Sequence, residues 1–442
     1  MNSKLLGLGA LVLAGLAGRP LAADEVPLTL SEALSFAAQR NPDLQAVRER
    51  AAAQASRADS ARRLAWWPRL VLSSGWSLTD TPSMVFAEKL NAGQFREEDF
   101  AIDRLNSPEA LSHFTTVLGA EVRLDVFGKM RSQSEGQGAL ARALDAAGRE
   151  AEQEVRLRVV FVYRRAALAR RAVAVTERAL AGAKAREADA GERVAQGAAL
   201  KADLLRVRAR RRQREAELAE RRGEERIMMA TLARLLGAAP GTAYAPTEGP
   251  PVSAPLEAEV TEWTARALAD RPMLASARER REAARWSDRA EGRSWLPDLA
   301  VWGQVQDDRN SLGGGTSGAV GAGLRWNLFD APRTKRRAAV RAELRAAEQE
   351  LRAAEDQVRL EVETAWRRAQ AARERHAAAA GGTEEGREAL RVVQERRQAG
   401  MATLTDELET EAASLGAELE ELGAAAETAL ADAALARAAG GI

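Results

Sequence analysis

The sequence predicts a mainly helical fold with a small β part, in which one structural unit occurs twice. Three observations predict it. Four landmarks recur in the same order, roughly 200 to 230 residues apart. Long proline-free intervals are rich in strong helix formers. Four short stretches alternate apolar and polar residues.

The landmarks define the duplication. Asn41-Pro42 returns as Arg271-Pro272, and Arg48-Glu49-Arg50 follows the first as Arg278-Glu279-Arg280 follows the second. Trp67-Pro68-Arg69-Leu70 is matched by Leu296-Pro297-Asp298-Leu299, each after a tryptophan, Trp66 and Trp295. The stretch Val122 to Phe127 corresponds to Leu324 to Phe329, and Arg193, Gly197 and Asp203 correspond to Arg396, Gly400 and Asp406. A repeat of this length is a duplicated unit, not a short solenoid module.

Residues 1–23 read as a secretory signal. Lys4 precedes an apolar run from Leu5 to Leu16, and small residues close it at Ala22 and Ala23. That run is too short for a stable membrane span. The chain has no cysteine, which excludes disulfides and a cysteine-linked lipid anchor. Basic and acidic residues number 65 and 64, without the basic surplus of a nucleic-acid binder. No apolar stretch of helix-spanning length follows the signal, so any entry into a membrane is as β-strands.

Between Pro108 and Pro240, and after Pro332, the chain lacks proline and is dominated by Ala, Glu, Arg and Leu. Leu344, Leu351, Val358, Ala365 and Ala372 fall on a seven-residue spacing, the seam of helices packed lengthwise. A helix from Ser134 to Ala195 would measure roughly 90 Å at ~1.5 Å per residue. Few globular cores cover such a rod, which suits a stave of an elongated bundle.

The alternating stretches lie near 68–79, 116–127, 297–307 and 318–329. Leu118, Ala120, Val122, Leu124 and Val126 alternate with Gly119, Glu121, Arg123 and Asp125. Val320, Ala322, Leu324, Trp326 and Leu328 alternate with Gly321, Gly323, Arg325 and Asn327. Leu70, Leu72, Trp76 and Leu78 form the same stripe in the first stretch; Leu299, Val301 and Val305 form it in the third, where Trp302 breaks the pattern. A half-buried sheet and a membrane wall both use period two. The strands have the roughly 10 to 12 residues that a tilted membrane strand needs. Trp66, Trp67, Trp76, Trp295, Trp302 and Trp326, six of nine tryptophans, lie in or beside them as an interfacial girdle would. Four strands cannot close a barrel, so a membrane wall requires more than one chain. The polar loop from Asp80 to Phe114 and the glycine-rich Asp307 to Gly318 would lie at the outer end. Residues 241–258 read as a linker between a first repeat at 24–240 and a second at 259–442.

These residues resemble the TolC-like outer membrane efflux proteins. The marks are Leu30-Ser31-Glu32-Ala33-Leu34 before Asn41-Pro42, Val126-Phe127-Gly128 and Leu328-Phe329-Asp330, and the paired Gly-to-Asp turns. The resemblance runs from Leu28 to about Ala434. It implies a homotrimer in the bacterial outer membrane: four strands per chain complete one shared β-barrel, and the helices form a periplasmic α-barrel tube. Function follows as the exit duct of a tripartite efflux pump. The implied partners are a periplasmic adaptor, an inner-membrane transporter of RND or ABC type, and outer membrane lipid. A one-step protein secretion system uses a similar duct. From a different class, a coiled-coil adaptor or scaffold would show one helical hairpin, not two hairpins and four strands.

Gly197 and Gly400 interrupt helical stretches and read as turns. The resemblance assigns adaptor contact to Gly197, Ala198, Ala199, Leu200, Gly400, Met401, Ala402 and Thr403. It also places a ring of acids at the narrowest point of the pore. Asp406 and Glu409, three apart on one helix face, are the candidates. Six carboxylates around one axis would favour cations and raise some of their own pKa values. Glu407 and Glu411 flank them. Asp203 matches the family's first-copy gating acid, but Ala402 and Arg397 stand where its usual partners would be. Arg397 is therefore expected to pair with Asp203.

No catalytic constellation, cofactor motif or metal site is expected. His113 and His376 lie in an outer loop and a helix, with no second His or Cys at ligand spacing. Gly313-Gly314-Gly315 follows no phosphate-loop context. Energy for transport must come from elsewhere.

Overall fold

The computed structural model describes residues 26–64, 67–239, 242–249, 256, 258–310 and 313–441. The signal at 1–23 and residues 241, 250–255 and 257 of the linker lie outside them. The chain separates into two compact units.

One unit comprises the described residues of Met1–Asn41, Arg156–Ala254 and Ala371–Leu430. It starts with β1 (Val26–Leu28), parallel to β4 (Tyr244–Pro246). Tyr163 is fully buried, and its hydroxyl donates to the Leu28 carbonyl at 2.8 Å. α1 (Leu30–Arg40) begins on a capping box in which Thr29 and Glu32 satisfy each other's backbone N–H groups. The rest of the unit is two helical hairpins. In the first, α5 (Lys129–Ala195) folds back on α6 (Lys201–Leu235), with Val173, Leu180 and Leu218 buried between them. In the second, α9 (Arg333–Gln398) folds back on α10 (Leu404–Ala438). There Thr428 and Thr383 donate across to the carbonyls of Ala372 and Ala417.

The other unit comprises the described residues of Pro42–Val155, Pro255–Gln370 and Ala431–Ile442. In it α2 (Pro42–Leu64) and α8 (Pro272–Gly292) flank the first part of α5, Gln54 bonding Gln137 and Ser276 bonding the Ala143 carbonyl. α7 (Val260–Asp270) precedes α8. Val358, Val362, Ala365 and Ala369 of α9 pack on Ala267, Leu274 and Leu435. Their alternating four- and three-residue spacing is that of a coiled-coil seam, and it carries on the seven-residue pattern of the sequence.

The same unit holds an antiparallel sheet of β2 (Arg69–Thr79), β3 (Leu111–Leu124), β5 (Asp298–Asn310) and β6 (Gly313–Arg325), in the order β2-β3-β5-β6. Several boundaries differ from the sequence reading. β3 begins earlier and ends at Leu124, because Asp125 leaves the ladder to cap α5, accepting from the Met130 and Arg131 N–H groups. β6 likewise ends at Arg325, before Leu328 and Phe329. The outer loop expected over Asp307 to Gly318 is mostly strand, with only two residues between Asn310 and its partner Gly313. Glycines keep this ladder thin: a Cβ on Gly315 would collide with the Asn91 carbonyl. The loop from Asp80 is ordered into α3 (Pro82–Asn91) and α4 (Ile102–Asn106). Within it Phe86, Phe95 and the exposed Phe100 stack edge to face.

The duplication extends to side-chain roles. Asn41, buried before Pro42, donates to the Leu235 carbonyl at the end of α6. Arg271, buried before Pro272, donates to the Ala438 carbonyl at the end of α10. Each of those helices ends on a positive-φ glycine, Gly237 or Gly440.

Candidate functional site

Two regions bear on function, the sheet and the hairpin tips. Strand pairing assigns every side chain of the sheet to a face. Leu72 lies opposite Leu118, Leu118 opposite Val305, and Val305 opposite Gly318. One rung along, Ala120 faces Gly303, and Gly303 faces Val320. The resulting face is apolar and uncovered: Leu72 is 69% exposed, Trp76 66%, Val320 89% and Leu324 62%. The opposite face carries Arg69, Glu121, Arg123, Gln304, Gln306 and Asp308. An apolar face this large in contact with water is an interaction surface.

Among the described residues, the outward edges of β2 and β6 pair with no strand. Such edges offer rows of unmet backbone donors and acceptors. No helix among the described residues is long and apolar enough to cross a membrane, which leaves a β-sheet route untouched.

The tryptophans fall at the two ends of the strands. Trp76 lies opposite Phe114 on the apolar face and donates to the Ser112 hydroxyl at 2.9 Å. Trp67 precedes β2, Trp295 precedes β5, and Trp326 follows β6 and donates to the Trp295 carbonyl at 2.9 Å. Trp302 departs from the expected girdle: it pairs with Glu121 and Gly321 on the polar face and lies over Gly321, where a Cβ would come within 2.8 Å of its ring. The broken alternation in β5 is this inward indole. Trp66 is outside the described residues.

At the tips the chain turns on Gly197 (φ 73°) and Gly400 (φ 77°). Both are Schellman closures. The Ala198 N–H donates to the Arg193 carbonyl and the Met401 N–H to the Arg396 carbonyl, each at 2.8 Å. Leu200 is 70% exposed and Met401 74%, beside the exposed Gly197, Ala198, Gly400 and Thr403 and the half-buried Ala199 and Ala402.

The acids near the second tip divide into three roles. Asp406 closes a capping box: its Oδ2 accepts from the Thr403 N–H at 2.8 Å and the Thr403 hydroxyl at 2.7 Å, while the Asp406 N–H donates to Thr403. Within one chain, those hydrogen bonds from Thr403 hold its carboxyl below the usual range. Glu409 is exposed. Glu407 is buried and bonds Arg397. Arg186 of α5 reaches Glu411 at 2.6 Å and Glu407 at 3.8 Å, and Arg178 reaches Glu418 at 3.1 Å.

The expected Arg397–Asp203 pair is therefore replaced within the chain. Arg397 turns to Glu407, ten residues along its own hairpin, and Asp203 sits 3.6 Å from Arg206 on its own helix. Partners on the same helix or the same hairpin win because they lie within reach without ordering two separate hairpins. The links between hairpins come instead from Arg186 and Arg178. Sequence reasoning passed over both, because charged residues are so dense here that spacing alone does not single out a pair.

His113 also departs from the reading: it lies in β3, not in a loop. It is 4% exposed, with Nε2 2.8 Å from Glu88 Oε2 of α3 and 3.5 Å from Asp308 Oδ1 of β5. The absence of a second His or Cys at ligand spacing gave no sign of this cluster, since its members come from three elements. Burial pushes the Glu88 carboxyl above its usual range; Asp308 adds to this and His113 opposes it.

The profile of the outer membrane efflux protein family matches residues 33–238 and 263–441, one match on each copy of the repeat. No curated protein matches the sequence. Solved structures do. The chain is similar to a membrane protein from Pseudomonas aeruginosa, at 20% identity over 93% of each chain with a TM-score of 0.78. It is similar to the outer membrane protein VceC from Vibrio cholerae, at 20% identity over 93% of this chain and 96% of that one, TM-score 0.77. The Campylobacter jejuni CmeC outer membrane channel matches at 16% identity over 93% of this chain and 85% of its own, TM-score 0.79. At these identities the likeness establishes a shared fold, and the two profile matches together span most of the sequence. The chain belongs to the outer membrane efflux protein family.

Proposed function

We propose that three copies of this chain join edge to edge in the bacterial outer membrane as the exit duct of a tripartite efflux pump. The observation that carries this reading is a sheet with one continuous exposed apolar face and two unpaired edges. In lipid every backbone group needs an internal partner, so such a sheet is stable only once its edges are joined into a closed barrel. Three chains supply twelve strands, an even number within the range of outer-membrane barrels. The apolar face then meets lipid and the face with Glu121, Arg123 and Gln304 lines the lumen.

The duct is passive and no residue performs chemistry. The exposed Leu200 and Met401 turns serve as the contact for a periplasmic adaptor, which couples the duct to an inner-membrane transporter of RND or ABC type. Glu409, threefold repeated, lines the constriction together with Asp406. Opening moves the second hairpin relative to the first, against the ties of Arg186 to Glu407 and Glu411.

The cysteine-free chain suits a direct test. Ser73→Cys in β2 and Ser317→Cys in β6, introduced together, are treated with a short bis-maleimide in isolated outer membranes. Covalent dimers and trimers are expected from the double variant and not from either single one. Recovery of the protein as a soluble periplasmic monomer would overturn the reading.

A further inference from the structure

We propose that Glu88, His113 and Asp308 bind one divalent transition-metal cation of the zinc class, which clips α3 to the polar face of β3 and β5.

The elements bring three donors to one point. His113 pairs with Asn310, and Thr115 with Asp308, so His113 and Asp308 stand on the same face of adjacent strands. Glu88 arrives from α3 above them, next to the buried Val85 and Ala92. One donor atom from each residue lies within 4.8 Å of the other two. Metal–ligand bonds of ~2.0–2.2 Å at tetrahedral angles place donors about 3.4 Å apart. The separations of 2.8 and 3.5 Å from His113 Nε2 bracket that value.

Charge argues the same way. The site gathers two carboxylates and one imidazole, and the nearby cations are engaged elsewhere: Lys89 with Asp99 at 2.8 Å and Arg309 with Asp307 at 2.7 Å. A neutral imidazole with its proton on Nε2 can donate to one carboxylate but leaves both negative charges out of water, and a protonated one still leaves one. A divalent cation brings the total to zero and accepts an electron pair from each group.

Hydrogen bonding supplies an independent sign. Glu88 Oε2 is shielded from solvent and accepts no hydrogen bond, although Nε2 is 2.8 Å away. The deeply buried His113 also leaves Nδ1 without a partner. Asp308 is fully buried and held in place, both oxygens accepting from Gln306 Nε2 at 3.0 and 2.8 Å. Such support orients a ligating carboxylate. The Thr115 hydroxyl also contacts Nε2, and metal binding would require it to rotate off that lone pair. A set of one nitrogen and two oxygens suits zinc better than magnesium or calcium, which prefer oxygen alone.

The test uses the full-length chain in detergent, stripped with chelator and titrated with zinc chloride by calorimetry. One zinc per chain is expected. Glu88→Gln and His113→Asn should each weaken binding by about tenfold or more, and His376→Ala should leave it unchanged. Zinc should also raise the unfolding temperature of the parent chain and not that of Glu88→Gln, a near-isosteric change at the half-buried rim of the site. The proposal is overturned if the stripped chain takes up no zinc, if Glu88→Gln binds as tightly as the parent, or if His376→Ala abolishes binding.

Discussion

At the scale of residues, Arg186 carries the heaviest load near the tips, because it joins α5 to two carboxylates of α10. A partly exposed ion pair contributes at most about 1 kcal/mol, and a difference of that size shifts a two-state ratio about fivefold. Arg186→Ala should therefore raise the open fraction of single channels in planar bilayers about fivefold. Asp203→Ala, whose only ion pair among the described residues is with Arg206, should leave it unchanged. Equal effects of the two would remove Arg186 from the gate.

Gly237 is a second test at this scale. Its φ of 65° and a Cβ position 2.5 Å from the Arg40 carbonyl make Gly237→Ala strained and crowded, at a cost of about 1–3 kcal/mol. Gly223, inside α6 with open space around its Cβ position, should instead gain about 1 kcal/mol as alanine. Thermal unfolding of the two variants should shift in opposite directions.

The Arg271 cluster sets an acid limit. Arg271, 1% exposed, donates to Glu150 and Glu361 at 2.8 Å each, and Arg437 joins the same carboxylates. Burial opposes charge on Glu361, but hydrogen bonds from Gln357 and Arg271 and the two arginine charges outweigh it and hold the carboxyl below its usual range. A depressed folded pKa stabilises above the unfolded value. That contribution is complete above about pH 5, and it is lost as the pH falls below about 4.3 through the folded value. Glu361→Gln should unfold more easily at pH 7 and lose less stability between pH 7 and pH 4, read from thermal scans at both. A parallel acid limb in the variant would contradict the assignment.

At the scale of elements, the apolar rows of the sheet are the most exposed claim. Leu72 lies mid-strand on the uncovered face, so Leu72→Arg should cost about 2–4 kcal/mol of barrel stability in lipid. Ser73→Arg, next along on the polar face, should cost little. Heat-modifiability on gels of outer-membrane preparations separates them, and equal tolerance would place water on both faces.

The strands were legible in the sequence because period two survives wherever a single face meets an apolar medium. Their ends were not. Asp125 continues the alternation of β3 yet caps a helix, and the sequence cannot say which bond the carboxylate takes. Trp302 broke the pattern visibly, but only register showed that it covers Gly321. The helix seam at Val358, Ala365 and Ala372 and the turns at Gly197 and Gly400 rest on local chemistry and could be read directly. The Arg186 links and the Glu88–His113–Asp308 cluster join residues far apart in the chain, and nothing local marks them.

At the scale of the whole molecule, the duplication explains why one chain holds two of everything and closes nothing. Each copy contributes a strand pair, a helical hairpin, a buried residue before proline and a left-handed glycine at the end of its second hairpin helix. The copies diverge at the tips, where the second holds Asp406, Glu407, Glu409 and Glu411 and the first holds Asp203 beside Arg206. Assembly around a threefold axis would turn that divergence into alternating acidic and mixed positions.

The most direct measurement of the central claim is the mass of the detergent-solubilised protein by light scattering, with the detergent contribution subtracted, before and after heating. Three chains per particle before heating and one after is the expected result. A single chain before heating would contradict a barrel wall completed by neighbouring copies.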